Sequence, residues 1–284
     1  MVIRRILLGA LALLLLGACS FTRLAYNNAP PLLAWMVDDY FDLSSDQRGW
    51  VKERFERAMT WHRANELPEY RRFIEGVIAR SSDGITVEDS RWAYQSVQGY
   101  YRRAIERLLP DAADLLARLD EEQVAALEKK FAEDNAKIEK DHDKGSPAKR
   151  DEHRAKRYVE QFEDWTGKLS PSQRDFVASQ AEQIEDLTHL RLDDRRKRQM
   201  EMLALLRTRT SREATIPGLK RLWIDMEAWR DPVYTQKLLK REEQIYAMVA
   251  ALDATLSPEQ HAQVQKRMRG YLSDVNALLA KAAP

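Results

Sequence analysis

Cysteine is nearly missing from this chain of 284 residues: there is one, Cys19. A lone thiol excludes an intramolecular disulfide, so the stability of the fold has to come from packing. Net charge is missing as well, with 46 Lys and Arg against 45 Asp and Glu and a formal charge of +1. That balance points neither to nucleic acid nor to acidic lipid as a partner. Glycine is scarce, at ten residues. What fills the chain instead is Ala, Leu, Glu, Gln, Lys and Arg, the residues with the best helix propensity. No run alternates with period two for long enough to make a strand. The expected fold class is therefore all-α, an elongated multi-helix bundle of about ten helices with no β-sheet.

The N-terminus carries its own signal. Arg4 and Arg5 precede Ile6 to Leu16, an uncharged apolar run that is shorter than the roughly 20 residues a bilayer span needs and fits a secretory signal. It closes on Leu16-Gly17-Ala18-Cys19, which resembles a bacterial lipobox. The resemblance implies cleavage before Cys19, thioether lipidation of its sulfur and acylation of its new amino group. Two or more acyl chains give a stable anchor where one is reversible. Ser20 follows, and similarity to enterobacterial sorting signals implies the outer membrane, facing the periplasm. Residues 1–18 are thus expected to be a signal peptide, 19–30 a lipidated N-terminus and short tether, and 31–284 a single helical domain with an internal break near 142–150.

Helix starts are the clearest internal pattern. One punctuation recurs four times, in Leu43-Ser44-Ser45-Asp46-Gln47, Leu119-Asp120-Glu121-Glu122-Gln123, Leu169-Ser170-Pro171-Ser172-Gln173 and Leu256-Ser257-Pro258-Glu259-Gln260. Each reads as a capping box, in which the Ser or Asp side chain accepts from the backbone N–H three residues on and the Gln reaches back. Pro171 and Pro258 fall at N1, where a missing N–H costs nothing. The spacing is too irregular for a solenoid. Between the caps, apolar residues recur at helical spacing: Val51, Phe55, Ala58 and His62 in one stripe, Tyr94, Val97, Tyr101, Ala104 and Leu108 in another. Helices are expected at 31–41, 45–65, 68–81, 87–109, 111–118, 121–141, 148–166, 171–208, 217–229, 233–254 and 258–281. Pro30 and Pro31 open a helix whose Leu32, Leu33, Trp35 and Met36 form an apolar patch beside the anchor. The expectation is that this helix packs against the domain near the bilayer and that Trp35 is mostly buried.

Several groups of residues bear on chemistry. Asp38, Asp39 and Asp42 cluster at a helix end, and paired carboxylates serve as acid and base in glycan cleavage. His142 and His153 stand near Asp141, Asp143, Asp151 and Glu152, without the His-Glu-x-x-His spacing or a thiolate that would mark a zinc site. Solvated charge is the simpler account there, as it is for the basic stretch Arg191 to Arg198, which lacks aromatics for base stacking. His62 on its apolar stripe reads as a core histidine. Seven tryptophans and ten tyrosines supply large apolar area for helix packing.

Leu24 to Ala29, Leu33-Ala34-Trp35, Asp38 to Leu43, Gln47-Arg48, Trp61-His62-Arg63 and Glu66-Leu67-Pro68 together resemble an uncharacterised family of proteobacterial α-helical lipoproteins, a domain of unknown function. The resemblance covers essentially the whole mature chain and is most specific in residues 19–75; it implies a helical lipoprotein and no activity. The four capping turns are similar to the Leu-Thr-x-x-Gln motifs of the Spy-like periplasmic chaperones, with Ser or Asp here in place of Thr. The sequence therefore reads as a non-enzymatic, membrane-anchored periplasmic lipoprotein that binds proteins in envelope assembly or maintenance. The rival reading is a cell-wall glycan hydrolase using carboxylates near Asp38–Asp42. The expected partners are the membrane, through lipid on Cys19, and another envelope protein; no cofactor, metal, nucleic acid or small-molecule ligand is expected.

Overall fold

A computed structural model describes residues 18–208 and 211–280, with the backbone alone for Ala18 to Phe21. The expected signal peptide up to Gly17 lies outside the described residues. All regular structure among the described residues is helical. The α-helices are α1 (Ala18–Asn27), α2 (Ala29–Phe41), α3 (Ser45–Asn65), α4 (Leu67–Arg80), α5 (Val87–Leu116), α6 (Glu121–His142), α7 (Pro147–Thr166), α8 (Pro171–Glu182), α9 (Thr188–Thr208), α10 (Arg212–Trp223), α11 (Pro232–Asp253) and α12 (Pro258–Ala280). A single 3-10 turn, Met226–Ala228, lies between α10 and α11. No helix among the described residues is long and apolar enough to cross a membrane.

The four repeated caps form as the sequence predicts. Ser44, Asp120 and Ser170 each accept from the backbone N–H of Gln47, Gln123 and Gln173, which reach back to the cap N–H. Ser257 and Gln260 exchange the same two bonds, at 3.3 and 2.9 Å. Thr86 and Asp89 build a fifth box at the start of α5.

What single turns do not reveal is that the four caps meet in two pairs. The side-chain amides of Gln47 and Gln123 donate to each other's oxygen at 3.1 and 2.7 Å. Gln47 also donates to the carbonyl of Arg118, and Gln123 to that of Asp42, both at 3.1 Å. The second pair repeats the scheme. Gln173 and Gln260 exchange bonds of 3.0 Å while donating to the carbonyls of Thr255 and Lys168. Each glutamine thus caps its own helix and ties off a carbonyl at the end of the helix preceding its partner's turn. Leu43, Leu119 and Leu169, the first residues of three of these turns, are buried.

Apolar side chains gather in three clusters. The largest joins α2, α3, α5, α6, α9 and α10 around Val51, Ala113, Leu127, Leu206 and Leu219. A second holds Val177, Ile184, Met248 and Leu252 from the α8 region and α11, with α7 against it. A third packs Leu67 and Ile74 of α4 on Val275 and Leu278 of α12, with Tyr26 of α1 at its edge. The long α5 links the assembly: near its start Arg91 pairs with Glu243 of α11 at 2.7 Å, and near its end Leu109, Ala113 and Leu116 enter the largest cluster.

Four boundaries differ from expectation. Helix α5 continues through Pro110, where a break was expected, because Leu109 and Ala113 on either side are buried and hold the chain helical against a cost of about 3 kcal/mol. The expected helix 171–208 is two helices. Between them Ile184 and Leu187 turn inward, and Asp186 accepts from the Thr188 N–H at 2.9 Å where α9 begins. Helix α10 starts before Pro217, capped by Ser211, and ends at Trp223. Its Gly218 lies under Leu205 of α9: a Cβ there would stand 2.7 Å from a Leu205 methyl, so any other residue would force Leu205 to shift. Last, the stretch expected as a tether is helix α1.

Trp35 is the clearest correction. It is 63% exposed, because α2 turns Ala34, Val37 and Phe41 inward at helical spacing and so puts Trp35, Leu32 and Met36 on the opposite side. The stripe Tyr94, Val97 and Tyr101, read as core, is also about half exposed.

The paired caps generate a test. Gln47→Ala and Gln123→Ala should each cost about 1–3 kcal/mol, since each strands a helix-end carbonyl and a partner amide. The double variant should cost less than the sum of the two. Urea unfolding of the four proteins measures the coupling, and strict additivity would show that the glutamines act apart.

Candidate functional site

A largely apolar cavity of about 350 Å³ lies between α2, α3, α5 and α10. Each wall follows from helical spacing. Val37 and Phe41 come from α2; Trp50, Val51 and Phe55 from α3; Tyr101, Ile105, Leu108 and Ala112 from α5; Met202 and Trp223 close it. Its volume falls within the range of ordinary ligand pockets. Charge enters the lining at Arg54 and Asp111 alone, 3.6 Å apart, and Arg107 approaches the other Asp111 oxygen at 3.6 Å. Arg54 stacks on the Trp50 ring at 4.6 Å, with its Nε buried and without an acceptor. Tyr101 donates to the Trp223 carbonyl at 3.2 Å and so fixes one rim. From this rim Val97, half exposed, extends the apolar strip along α5.

The carboxylates near the end of α2 do not share this space. Asp38 accepts from the Leu43 N–H at 2.9 Å and lies 3.6 Å from Arg48. Asp39 pairs with Lys130 of α6 at 2.9 Å. Asp42 is exposed and takes a left-handed backbone, φ 48°, at the end of α2. Two of the three are engaged in holding helix ends together, and they point to different partners.

The histidines also sort differently from expectation. His142 is brought to His189 rather than to His153: their rings meet edge to face with centroids 4.6 Å apart, and Asp143 completes a group whose ligand atoms lie within 4.8 Å. Lys144, Arg150, Arg154 and Arg191 crowd the same surface, which disfavours a cation. Burial pushes the Asp186 carboxyl up, but its bonds to Thr188 and the charges of His142 and Arg154 hold it below its usual range; it lies 3.8 Å from His142.

The basic stretch of α9 is not a solvated face. Arg195 pairs with Asp134 at 3.4 Å and donates to Asn135 at 3.0 Å, and Arg196 meets Glu139 at 3.0 Å. Arg198 and Arg230 converge on buried Asp194, at 3.0 and 3.7 Å. The cluster is a seam that α9 shares with α6 and the turn before α11.

His62 is a bridge between helices. Its Nδ1 and Nε2 meet the hydroxyls of Tyr26 on α1 and Tyr70 on α4 at 2.9 and 3.1 Å. Burial holds its pKa below 6.5, partly offset by Glu66, and pushes the Tyr26 hydroxyl up to about 12. Glu66 itself is buried and makes two bonds with Arg103 of α5, at 2.9 and 2.8 Å. Cys19 is the second residue of α1, and its side chain lies outside the described residues.

A model of a family of unknown function (DUF6279) matches residues 39–235. The chain belongs to this family. The matched span contains the first cap pair complete and Leu169 to Gln173 of the second, along with all but Val37 of the cavity lining. It leaves out residues 19–38 and includes 39–75 of the stretch 19–75, where the likeness to helical lipoproteins was most specific. No curated protein and no solved structure matches the chain.

Of the cavity residues of α5, the stripe read from the sequence contained Tyr101 and Leu108 and missed Ile105 and Ala112; Arg54, Met202 and Trp223 carried no local signal, since only packing brings them together. For His62 the sign of the pH effect is fixed. With its folded pKa below the unfolded 6.5, stability is full above that value and falls as pH drops below it, because the unfolded chain takes up the proton first. The expected outcome is that His62→Gln flattens the decline of thermal midpoint from pH 7 to pH 5, measured by circular dichroism against the unchanged chain.

Proposed function

We propose that the chain is a lipid-anchored helical binding protein of the bacterial cell envelope. It faces the periplasm from the outer membrane and docks another envelope protein through the apolar cavity of α2, α3, α5 and α10. The observation that carries this reading is the cavity lining, where Trp50, Trp223, Tyr101, Met202 and Arg54 surround one opening. Trp, Tyr, Met and Arg are the residues enriched at protein interfaces and at their hot spots. A free fatty acid or phosphate head group fits less well, because Arg54 and Arg107 are both answered by Asp111 and no lone cation remains in the lining to hold an anion. Apolar side chains of a partner segment fit.

The envelope location rests on the lipobox-like residues 16–19 and the charged and apolar segments ahead of them. The resemblance of the capping turns to Spy-like chaperones points toward the same class, helical proteins of the periplasm that bind other polypeptides. No observation favours the glycan hydrolase: Asp38, Asp39 and Asp42 enclose no common space.

Photo-crosslinking in living cells tests the reading. A photoreactive residue at Val97 or Leu108 should yield a discrete adduct with one envelope protein, and one at exposed Met200 should not. Ile105→Glu should reduce that adduct about tenfold or more. Equal, diffuse labelling from all three positions would overturn the proposal.

A further inference from the structure

Four of the ten large apolar side chains exposed among the described residues lie within a stretch of thirteen residues. Leu24, Leu32, Trp35 and Met36, between 49% and 63% exposed, all come from α1 and the first half of α2. The same stretch is nearly empty of charge. From Ala18 to Val37 the sole charged residue is Arg23, in a chain of which 32% is Asp, Glu, Lys or Arg. An ordinary solvated helix face does not look like this.

Nor can the segment turn these residues inward, because α1 is held by its other side. Arg23 lies 3.1 Å from Asp274 of α12, Arg63 of α3 donates to Asn27 at 2.8 Å, and Tyr26 is bound to His62. In α2 the inward positions are taken by Ala34, Val37 and Phe41.

We propose that the outward face of α1 and α2, formed by Leu24, Leu32, Trp35 and Met36, is a membrane-contact surface that enters the headgroup and upper acyl region of the bilayer. This rests on the reading of Cys19 as the lipid-bearing residue. Position argues for a bilayer as the occupant. Residues 6–16, the apolar run, end just before Cys19, and Cys19 opens α1 with no flexible spacer between. At 1.5 Å per helical residue, Leu24 follows Cys19 by about 8 Å and Leu32 by about 20 Å along the chain. Lipid inserted at Cys19 therefore brings this face to the membrane surface. Composition argues the same way: tryptophan favours the interface, and no acidic side chain in the segment opposes anionic headgroups. The protein body then sits at a fixed height and orientation on the membrane instead of swinging on a tether.

Spin labels distinguish the occupants. The full chain, produced in bacteria and purified with its native N-terminus, carries Leu32→Cys, Met36→Cys or, as control, Met200→Cys, and is placed in vesicles of phosphatidylethanolamine and phosphatidylglycerol. The expected result is a several-fold higher ratio of oxygen to nickel-chelate collisions at positions 32 and 36 than at position 200. Water-like ratios at 32 and 36 would overturn the inference, and so would labels shielded from both reagents with spin–spin broadening, the sign of a second copy. The mass of the N-terminal fragment of the same samples reports acylation. An acylated fragment with water-exposed labels sinks the contact surface alone; an unacylated fragment sinks the anchor reading and the inference with it.

Discussion

The reciprocal amide bond between two capping glutamines is the constraint on which the arrangement of helices depends. A capping box alone stabilises the end of one helix and says nothing about where the helix goes. Here Gln47 and Gln123, and again Gln173 and Gln260, spend the remaining capacity of their side chains on each other and on a carbonyl at the far turn. Two helix–turn–helix corners are locked turn to turn. Leu43, Leu119 and Leu169, which open three of the motifs, are buried beneath them, and Leu256 packs on the second cluster, so the polar lock and the apolar contact are made by the same five residues. Gln123 and Gln173 are buried, and an amide at such a depth has to meet nearly all its bonding capacity inside the protein.

The balance of charge in the sequence finds its explanation in the seams between helices. Asp134 takes the hydroxyl of Tyr40 and the guanidinium of Arg195, and Asp194 gathers Arg198 and Arg230. Each acid sits within reach of cations from other turns or other helices, so neutrality holds locally as well as in total. A basic run in the sequence is then no guide to a basic surface, because the neutralising acids of α6 are about sixty residues away in the chain and close only once it folds.

Much of the fold was legible because its signals are local. Ser44, Asp120, Ser170 and Ser257 announce helix starts in the residues next to them, and the stripes of α3 and α5 show their period directly. What failed was everything decided by distant partners. Pro110 looks like a stop until the burial of Ala113 is known. Trp35 looks like core until Ala34 and Val37 are seen to claim the inner face. The pairing of caps needs glutamines separated by 76 and 87 residues to come together, and the cavity needs Trp50, Leu108 and Trp223 from three helices. His189, which meets His142, stood alone in the sequence because a turn and two helices separate the two residues.

Helix α1 carries a mechanical consequence. Its bonds run to α12 through Asp274 and to α3 through His62 and Arg63, and Arg63 also donates to the Leu278 carbonyl of α12, at 2.9 Å. The first and last described helices are thus fastened to each other and to the same neighbour. A pull applied at the start of α1 is shared at once with the last described helix through these bonds. Unfolding that starts at α1 or at α12 has to begin by parting these two helices from each other.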